Sequence, residues 1–361
     1  MQLKYLVLVS LSLALLILPA LAGCSQGEHK QYPERQVTFV GNGGARLAAS
    51  LTLPDHTSQN ASPGLVLIAG SGPTDRDGNS GLGPHTDLLK QVAQRLAQAG
   101  VASLRYDKRG VGGSAMSPQD QAHLADYVSW ENFVGDAVAA LRFLQSQPGV
   151  DAARTGFLGH SEGGVIALQA AQQIKGQPQP ARLLVLVSTP GRPMDMVFQD
   201  QLVKALKSQH ATAAQTDYFL AENQAIVTAI KKTGVVPDDV PAGLVTIYPP
   251  YIGKFYRSAL QLDPAKLAAR FPGPVLIIQG QKDIQVSPSK DAPLLDTALS
   301  SRPHGAHRLF LVPGASHNLK QVADAGNPRL EGPVTPEALS VLCDWLHNAW
   351  AGGNSPGNNS Q

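Results

Sequence analysis

Apolar residues recur along the chain in two rhythms. Between 36 and 53 they alternate: Val37 and Phe39, then, past the Gly41-Asn42-Gly43-Gly44 turn, Leu47, Ala49, Leu51 and Leu53. Alternation of this kind predicts an antiparallel hairpin with one buried face. From Gly64 the rhythm changes to short continuous apolar runs at 65–68, 101–104, 155–158, 183–187, 275–278 and 309–312. Helical patterns separate several of them. In one, Trp130, Phe133, Val134, Ala137, Val138, Leu141 and Leu144 recur at the three- and four-residue spacing of a buried helix face. Strands apolar on both faces, alternating with amphipathic helices, predict an α/β fold with a mostly parallel central sheet flanked by helices.

The alternation breaks once. No strand pattern is clear between Pro190 and Phe271, and helical stretches at 200–207 and 211–232 fill the interval. The expectation is a helical cap insertion, 191–270, above the carboxyl edge of the sheet in a domain spanning 36–350. Tyr248, Tyr251, Phe255 and Tyr256, clustered around Pro249-Pro250, are its candidate substrate-facing residues, with packing of the insertion onto the body as the alternative reading for most of its aromatic rings. The final segment, 351–361 (AGGNSPGNNSQ), has almost no apolar residues and reads as a disordered tail.

Composition adds limits. The chain of 361 residues is 43% hydrophobic and 16% charged, enough for a sizeable core, and its net charge of +2 offers no basic footprint for nucleic acid. The N-terminus, MQLKYLVLVSLSLALLILPALAGC, has a charged start, a greasy middle and a small-residue end, as a secretory signal does. Its close, Leu21-Ala22-Gly23-Cys24, resembles the lipobox of bacterial lipoproteins. That resemblance implies a lipoprotein signal peptide over 1–23, lipid attachment at Cys24 and a polar tether over 24–35. The protein would then be lipid-anchored to a membrane of the bacterial cell envelope and exposed to the periplasm or the exterior. An uncleaved transmembrane anchor is the alternative. The other cysteine, Cys343, lies in an apolar helical pattern and reads as an inert core residue.

The stretch TGFLGHSEGGVI, residues 155–166, puts Ser161 directly after an apolar run, with Gly159 before it and Gly163-Gly164 after. Small residues in that pattern suit a strand that turns sharply into a helix and exposes a strained serine hydroxyl at the turn. A serine is a poor nucleophile until a base takes its proton and a third group orients that base. Two later strand runs lead into such partners: 275–278 into GQKDIQV, carrying Asp283, and 309–312 into PGASH, ending at His317. His160 reads as a packing or hydrogen-bonding residue. Asp75, Arg76 and Asp77 read as bracing ion pairs, with a substrate-carboxylate role for Arg76 as the alternative. Asp107 and Arg109 likewise read as loop braces, and Asp291 and Asp296 as spare carboxylates. The histidines show no metal-ligand spacing, so no metal and no cofactor is expected.

The order Ser161, Asp283, His317, together with GSGPTDRDGN (70–79), YDKRGVGGS (106–114), GHSEGG and GASHN, resembles the α/β-hydrolase superfamily. Within it, the chain is most similar to bacterial carboxylesterases related to the serine aminopeptidase and dienelactone-hydrolase branches. The resemblance implies a catalytic triad of those three residues and an oxyanion hole of two backbone N–H groups. One belongs to Glu162. The other belongs to Ser71, with Gly72 as the alternative, because the chain has Ala69-Gly70-Ser71 where many relatives carry His-Gly-x. The implied function is a serine carboxylesterase acting on a small-molecule ester through an acyl-enzyme. A serine peptidase or amidase with the same triad is the first alternative. A noncatalytic binding lipoprotein is the second, and the presence of all three triad residues argues against it.

Overall fold

Runs such as LVLI and VLII form strands because β-branched and leucine side chains pack on both faces of a pleated sheet. The computed structural model describes residues 30–55, 61–81, 83, 85–323 and 330–351. The expected signal segment 1–23, Cys24, the expected tether up to residue 29 and the tail beyond Ala351 lie outside the described residues. The chain divides into two units, Met1–Gln31 and Tyr32–Gln361, and the features below belong to the second.

Eight strands are found among the described residues: β1 (Glu34–Val40), β2 (Arg46–Thr52), β3 (Ser62–Ile68), β4 (Ala102–Tyr106), β5 (Val150–His160), β6 (Leu184–Val187), β7 (Val275–Gly280) and β8 (His307–Val312). They form one sheet in the order β1-β2-β4-β3-β5-β6-β7-β8. The β1–β2 hairpin is antiparallel, with Val37 opposite Ala49, and β2 is antiparallel to β4. Every pairing from β4 through β8 is parallel.

Successive residues of a strand point to opposite faces, so the central strands feed two cores. Val66, Ile68, Phe157 and Ile277 pack on the side covered by the helices Trp130–Gln145 and Glu162–Gln173. Leu65, Leu67, Leu158 and Val185 pack on the side covered by Leu88–Gln98 and Pro336–Ala351. Cys343 is buried in the last of these helices. The expected single buried face of the hairpin needs correction at β2. Ala48, Ser50 and Thr52 are buried as well, because β2 continues the sheet to β4 and its second face lies under loops. Ser114 Oγ accepts the Ala48 amide at 2.9 Å, and Arg76 Nη1 donates to Ser50 Oγ at 3.3 Å.

Between β6 and β7 the chain leaves the sheet as helices Met194–Ser208, Ala213–Thr233, Gly253–Ala259 and Pro264–Arg270. The longest starts at a capping box, where Thr212 and Gln215 satisfy each other's backbone amides, and stops at Gly234 with φ 73°. The insertion has its own small core of Leu202, Ile226, Ile230, Leu244 and Tyr248.

Candidate active site

Ser161 sits between β5 and the helix Glu162–Gln173 with φ 55° and ψ −125°. A non-glycine residue in that region carries strain of about 1–3 kcal/mol and persists only where its surroundings fix it. Here the Ser161 amide donates to Val187 O at 2.8 Å, and the Ser161 carbonyl accepts from the Gly164 amide at 2.9 Å. The neighbouring glycines are required by close approach. A Cβ on Gly159 would lie 2.2 Å from the Gly163 carbonyl oxygen, and one on Gly163 2.3 Å from that of Ile68.

Asp283 and His317 meet beyond the ends of β7 and β8. Asp283 Oδ2 accepts from His317 Nδ1 at 2.8 Å and from Gln279 Nε2 at 2.8 Å. Its Oδ1 accepts the amides of Gln285 and Val286 at 2.7 and 3.0 Å. Burial pushes this carboxyl up, but His317 and the hydrogen bonds more than offset it and hold the group below the usual aspartate range. A charged carboxylate can only accept, so His317 Nδ1 carries the proton and Nε2 is left with a lone pair. Ser161 and His317 line one cavity. The two side chains are not hydrogen-bonded to each other; bonds of this kind are often long and tighten on substrate binding.

His160 stands behind His317, with ring centroids 4.6 Å apart. Its Nε2–H donates to the His317 carbonyl at 3.1 Å. Burial first, and the neighbouring His317 second, push His160 from 6.5 down to about 3. The unfolded chain protonates this ring below about 6.5 and the folded chain does not until about 3. This contribution to stability is therefore full above 6.5 and declines as the pH falls through that window. At pH 5 the loss amounts to about 2 kcal/mol. His160→Gln keeps an N–H donor and removes the titration. The wild type should therefore lose more of its melting temperature between pH 7 and 5 than the variant does; equal losses would refute the assignment.

The loop after β3 packs tightly on the Ser161 turn: a Cβ on Gly70 would lie 3.2 Å from both His160 Nδ1 and Ser161 Cβ. Lys108 Nζ donates to the Gly70 carbonyl. Ser71 Oγ donates to Glu162 Oε2 at 3.0 Å. Lys108 is buried, which pushes its ammonium down, while nearby Glu162 partly opposes that. Among the described residues, neither the Ser71 nor the Glu162 amide N–H has an acceptor.

The other charged residues brace loops. Asp75 Oδ1 accepts the amides of Asp77 and Asn79, both at 2.9 Å, and Asp77 pairs with Arg105 at 2.9 Å. Arg76 grips Asp107 with Nε and Nη2 at 3.1 and 2.6 Å and reaches Gln36, which turns it away from the cavity. Arg109 pairs with buried Asp136 at 2.6 Å. Asp291, fully buried, accepts from Arg192 Nε and Nη2 at 3.0 and 2.8 Å and from the Gly191 amide at 3.1 Å. It therefore ties the start of the insertion to the segment after β7. Asp296 lies 3.3 Å from His307. Among the described residues no cluster of three or more His, Cys, Asp or Glu side chains could hold a metal ion.

The cavity holding Ser161 and His317 measures about 290 Å³, and the insertion supplies Arg192, Met194, Val197, Phe198 and Gln201 to its wall. The four aromatic residues singled out by sequence do not line it. Tyr248 is buried in the insertion's core, its Oη donating to Asn223 Oδ1 at 2.7 Å. Phe255 packs edge-on against Trp130 and Phe133 at 5.2 and 5.5 Å. Met194, Val197, Phe198 and Gln201 share one helix at three- and four-residue spacing, the one signal that could have found them. Gln279 and Lys108 were also missed. A glutamine ending the apolar run VLII was the clue to the first.

Comparison with known proteins gives the following. The sequence model of the serine aminopeptidase, S33, family matches residues 79–321. Esterase EstD of Thermotoga maritima is 28% identical over 273 residues, which is 76% of this chain and 57% of that protein. An uncharacterised protein of Mycobacterium tuberculosis is 33% identical over 133 residues, 37% of this chain and 38% of that one. The chain thus spans between about a third and three-fifths of the length of the curated relatives it matches. Among solved structures, Est1E from Butyrivibrio proteoclasticus with ferulic acid bound superimposes with a TM-score of 0.54 at 17% identity, covering 87% of this chain and 100% of that one. A puromycin-hydrolysing peptidase of Mycobacterium tuberculosis gives 0.55 at 18% identity, covering 91% of this chain and 42% of that one. At such identities these two likenesses speak to the fold.

Proposed function

The chain belongs to the serine aminopeptidase S33 family and has the α/β-hydrolase fold, and on that premise we propose that it is a serine carboxylesterase using Ser161, His317 and Asp283. The observation that carries the reading is the 2.8 Å bond from His317 Nδ1 to a buried, multiply hydrogen-bonded Asp283, with His317 and Ser161 facing one cavity. The esterase relative supports the choice of bond.

Ser161 Oγ attacks the ester carbonyl carbon while His317 Nε2 takes the hydroxyl proton. Asp283 keeps the other ring nitrogen protonated and stabilises the imidazolium that forms. The carbonyl oxygen, now negative, is received by the free amides of Ser71 and Glu162, which need no reorganisation as the charge develops. His317 then passes its proton to the departing alcohol. Water repeats the sequence on the acyl-enzyme and releases the acid.

Peptide or amide cleavage is the second reading, favoured by the family's description as aminopeptidases. A panel of p-nitrophenyl esters and aminoacyl p-nitroanilides separates the two. Turnover of the esters at least about a hundredfold above the anilides is expected; the reverse order would replace the esterase reading by the peptidase one.

The lipobox-like Leu21-Ala22-Gly23-Cys24 supports a lipid-anchored location in the cell envelope. Each buried CH₂ of an acyl chain adds about 0.8 kcal/mol, so two or more chains hold a protein on a membrane. Cys24→Ser should leave turnover intact and abolish the lipid mass on the mature N-terminus. An unmodified wild-type Cys24 would refute the anchor.

A further inference from the structure

The cavity at Ser161 does not end at the oxyanion loop. A second cavity of about 340 Å³ lies beside it, and the two share Ser71, Glu162 and Phe198 in their walls. The reacting carbonyl, held by the Ser71 and Glu162 amides, would therefore sit at their junction. The two sides are chemically unlike. His317 lines the first cavity and not the second. Because His317 must protonate the departing alcohol, the leaving group belongs in the first. The acyl substituent, on the other side of the carbonyl carbon, is directed into the second.

Body and insertion both furnish this second lobe with apolar side chains: Met116, Val128 and Phe133 from one, Ile247, Ile252 and Phe255 from the other. About 150 Å³ is enough to hold a benzene ring, so the lobe has room for a long alkyl chain or an arylalkyl group. Its polar side chains are already engaged: Lys108 donates to the Gly70 carbonyl, Glu162 accepts from Ser71, and Arg109 is paired with Asp136. A charged acyl group would lose its hydration there, and the mostly apolar walls would not replace it.

Resting on the serine-esterase reading above, we infer that this lobe is the acyl-binding subsite and that it selects long, uncharged acyl groups. Tyr251, partly exposed on the insertion side, stands at its wall. The sequence expectation that insertion residues tune the substrate thus applies to Tyr251, Phe255 and Tyr256 through this lobe, and not to Tyr248.

Val128→Trp and Ile247→Trp fill the lobe from opposite walls, and neither residue touches the triad. With thermal melts confirming that both fold, kcat/KM for p-nitrophenyl decanoate should fall about tenfold or more. That for p-nitrophenyl acetate should stay within about twofold. Wild-type enzyme should also prefer a hexanoyl ester over 6-aminohexanoyl and adipoyl half-esters by about tenfold or more. Equilibrium dialysis of phenyl decanoate against the Ser161→Ala protein, with and without Val128→Trp, reads the lobe without turnover, and binding should weaken about tenfold. An unchanged decanoate-to-acetate ratio in both variants, unchanged dialysis, or preference for the charged acyl groups would overturn the inference. Absence of all ester turnover in the wild type would instead sink the esterase reading, with the dialysis still deciding the lobe.

Discussion

Replacing Ser161 with alanine is expected to lower kcat for ester hydrolysis by about 10⁶-fold, leaving a residue of activity from the oxyanion amides and substrate binding. The size follows from the chemistry: without Oγ there is no covalent intermediate, and His317 has no nucleophile to deprotonate. Folding should be untouched. Alanine occupies the same strained backbone at φ 55°, and the bonds that fix the turn, from the Ser161 amide to Val187 and from Gly164 to the Ser161 carbonyl, are backbone bonds that survive. Steady-state kinetics beside a thermal melt check both halves. A variant within tenfold of wild type would end the assignment of Ser161 as nucleophile.

The second large effect separates two buried aspartates. Asp283→Asn should reduce kcat by about 10⁴-fold, because a neutral amide can present its NH₂ to His317 Nδ1 and favour the wrong tautomer. The backbone amides of Gln285 and Val286 would keep an acceptor, so the fold should hold. Asp291→Asn should behave in the opposite way. It removes one of the two carboxylates that hold Arg192, leaving Asp200 at 2.8 Å, so it should destabilise by less than the about 3–5 kcal/mol of a buried pair broken outright, yet the reacting groups stay intact. Lower melting temperature with little change in kcat is expected for Asp291→Asn. If the two variants exchanged these phenotypes, the carboxylate assigned to the triad would be wrong.

The sheet and the sharp strand-to-helix turn at Ser161 were legible in the sequence because both depend on local patterns. Continuous apolar runs mark strands buried on two faces, and the spacing around Ser161 reflects contacts such as Gly159 against Gly163 that lie within a few residues. Asp283 and His317 could be proposed because each follows a recognisable run. What escaped is set by contacts across the fold. Lys108 reaches Gly70 from the loop after β4, 38 residues away, and no periodicity marks such a pairing. The second buried face of β2 depends on loops carrying Arg76 and Ser114. The insertion was visible as helices, but which of its aromatics face substrate was not. Tyr248 and Phe198 are both aromatic, and only the packing of the insertion buries one in its own core and sets the other between two cavities.

The central claim is that Ser161 becomes covalently acylated, and reaction with a fluorophosphonate followed by intact-mass and peptide mass spectrometry tests it most directly. Displacement of fluoride by Oγ should leave one phosphonate on the peptide that contains Ser161, at a rate falling sharply in His317→Ala, with ester turnover lost in step with labelling. Labelling at another residue, or full ester turnover in protein whose Ser161 is quantitatively modified, would contradict the account.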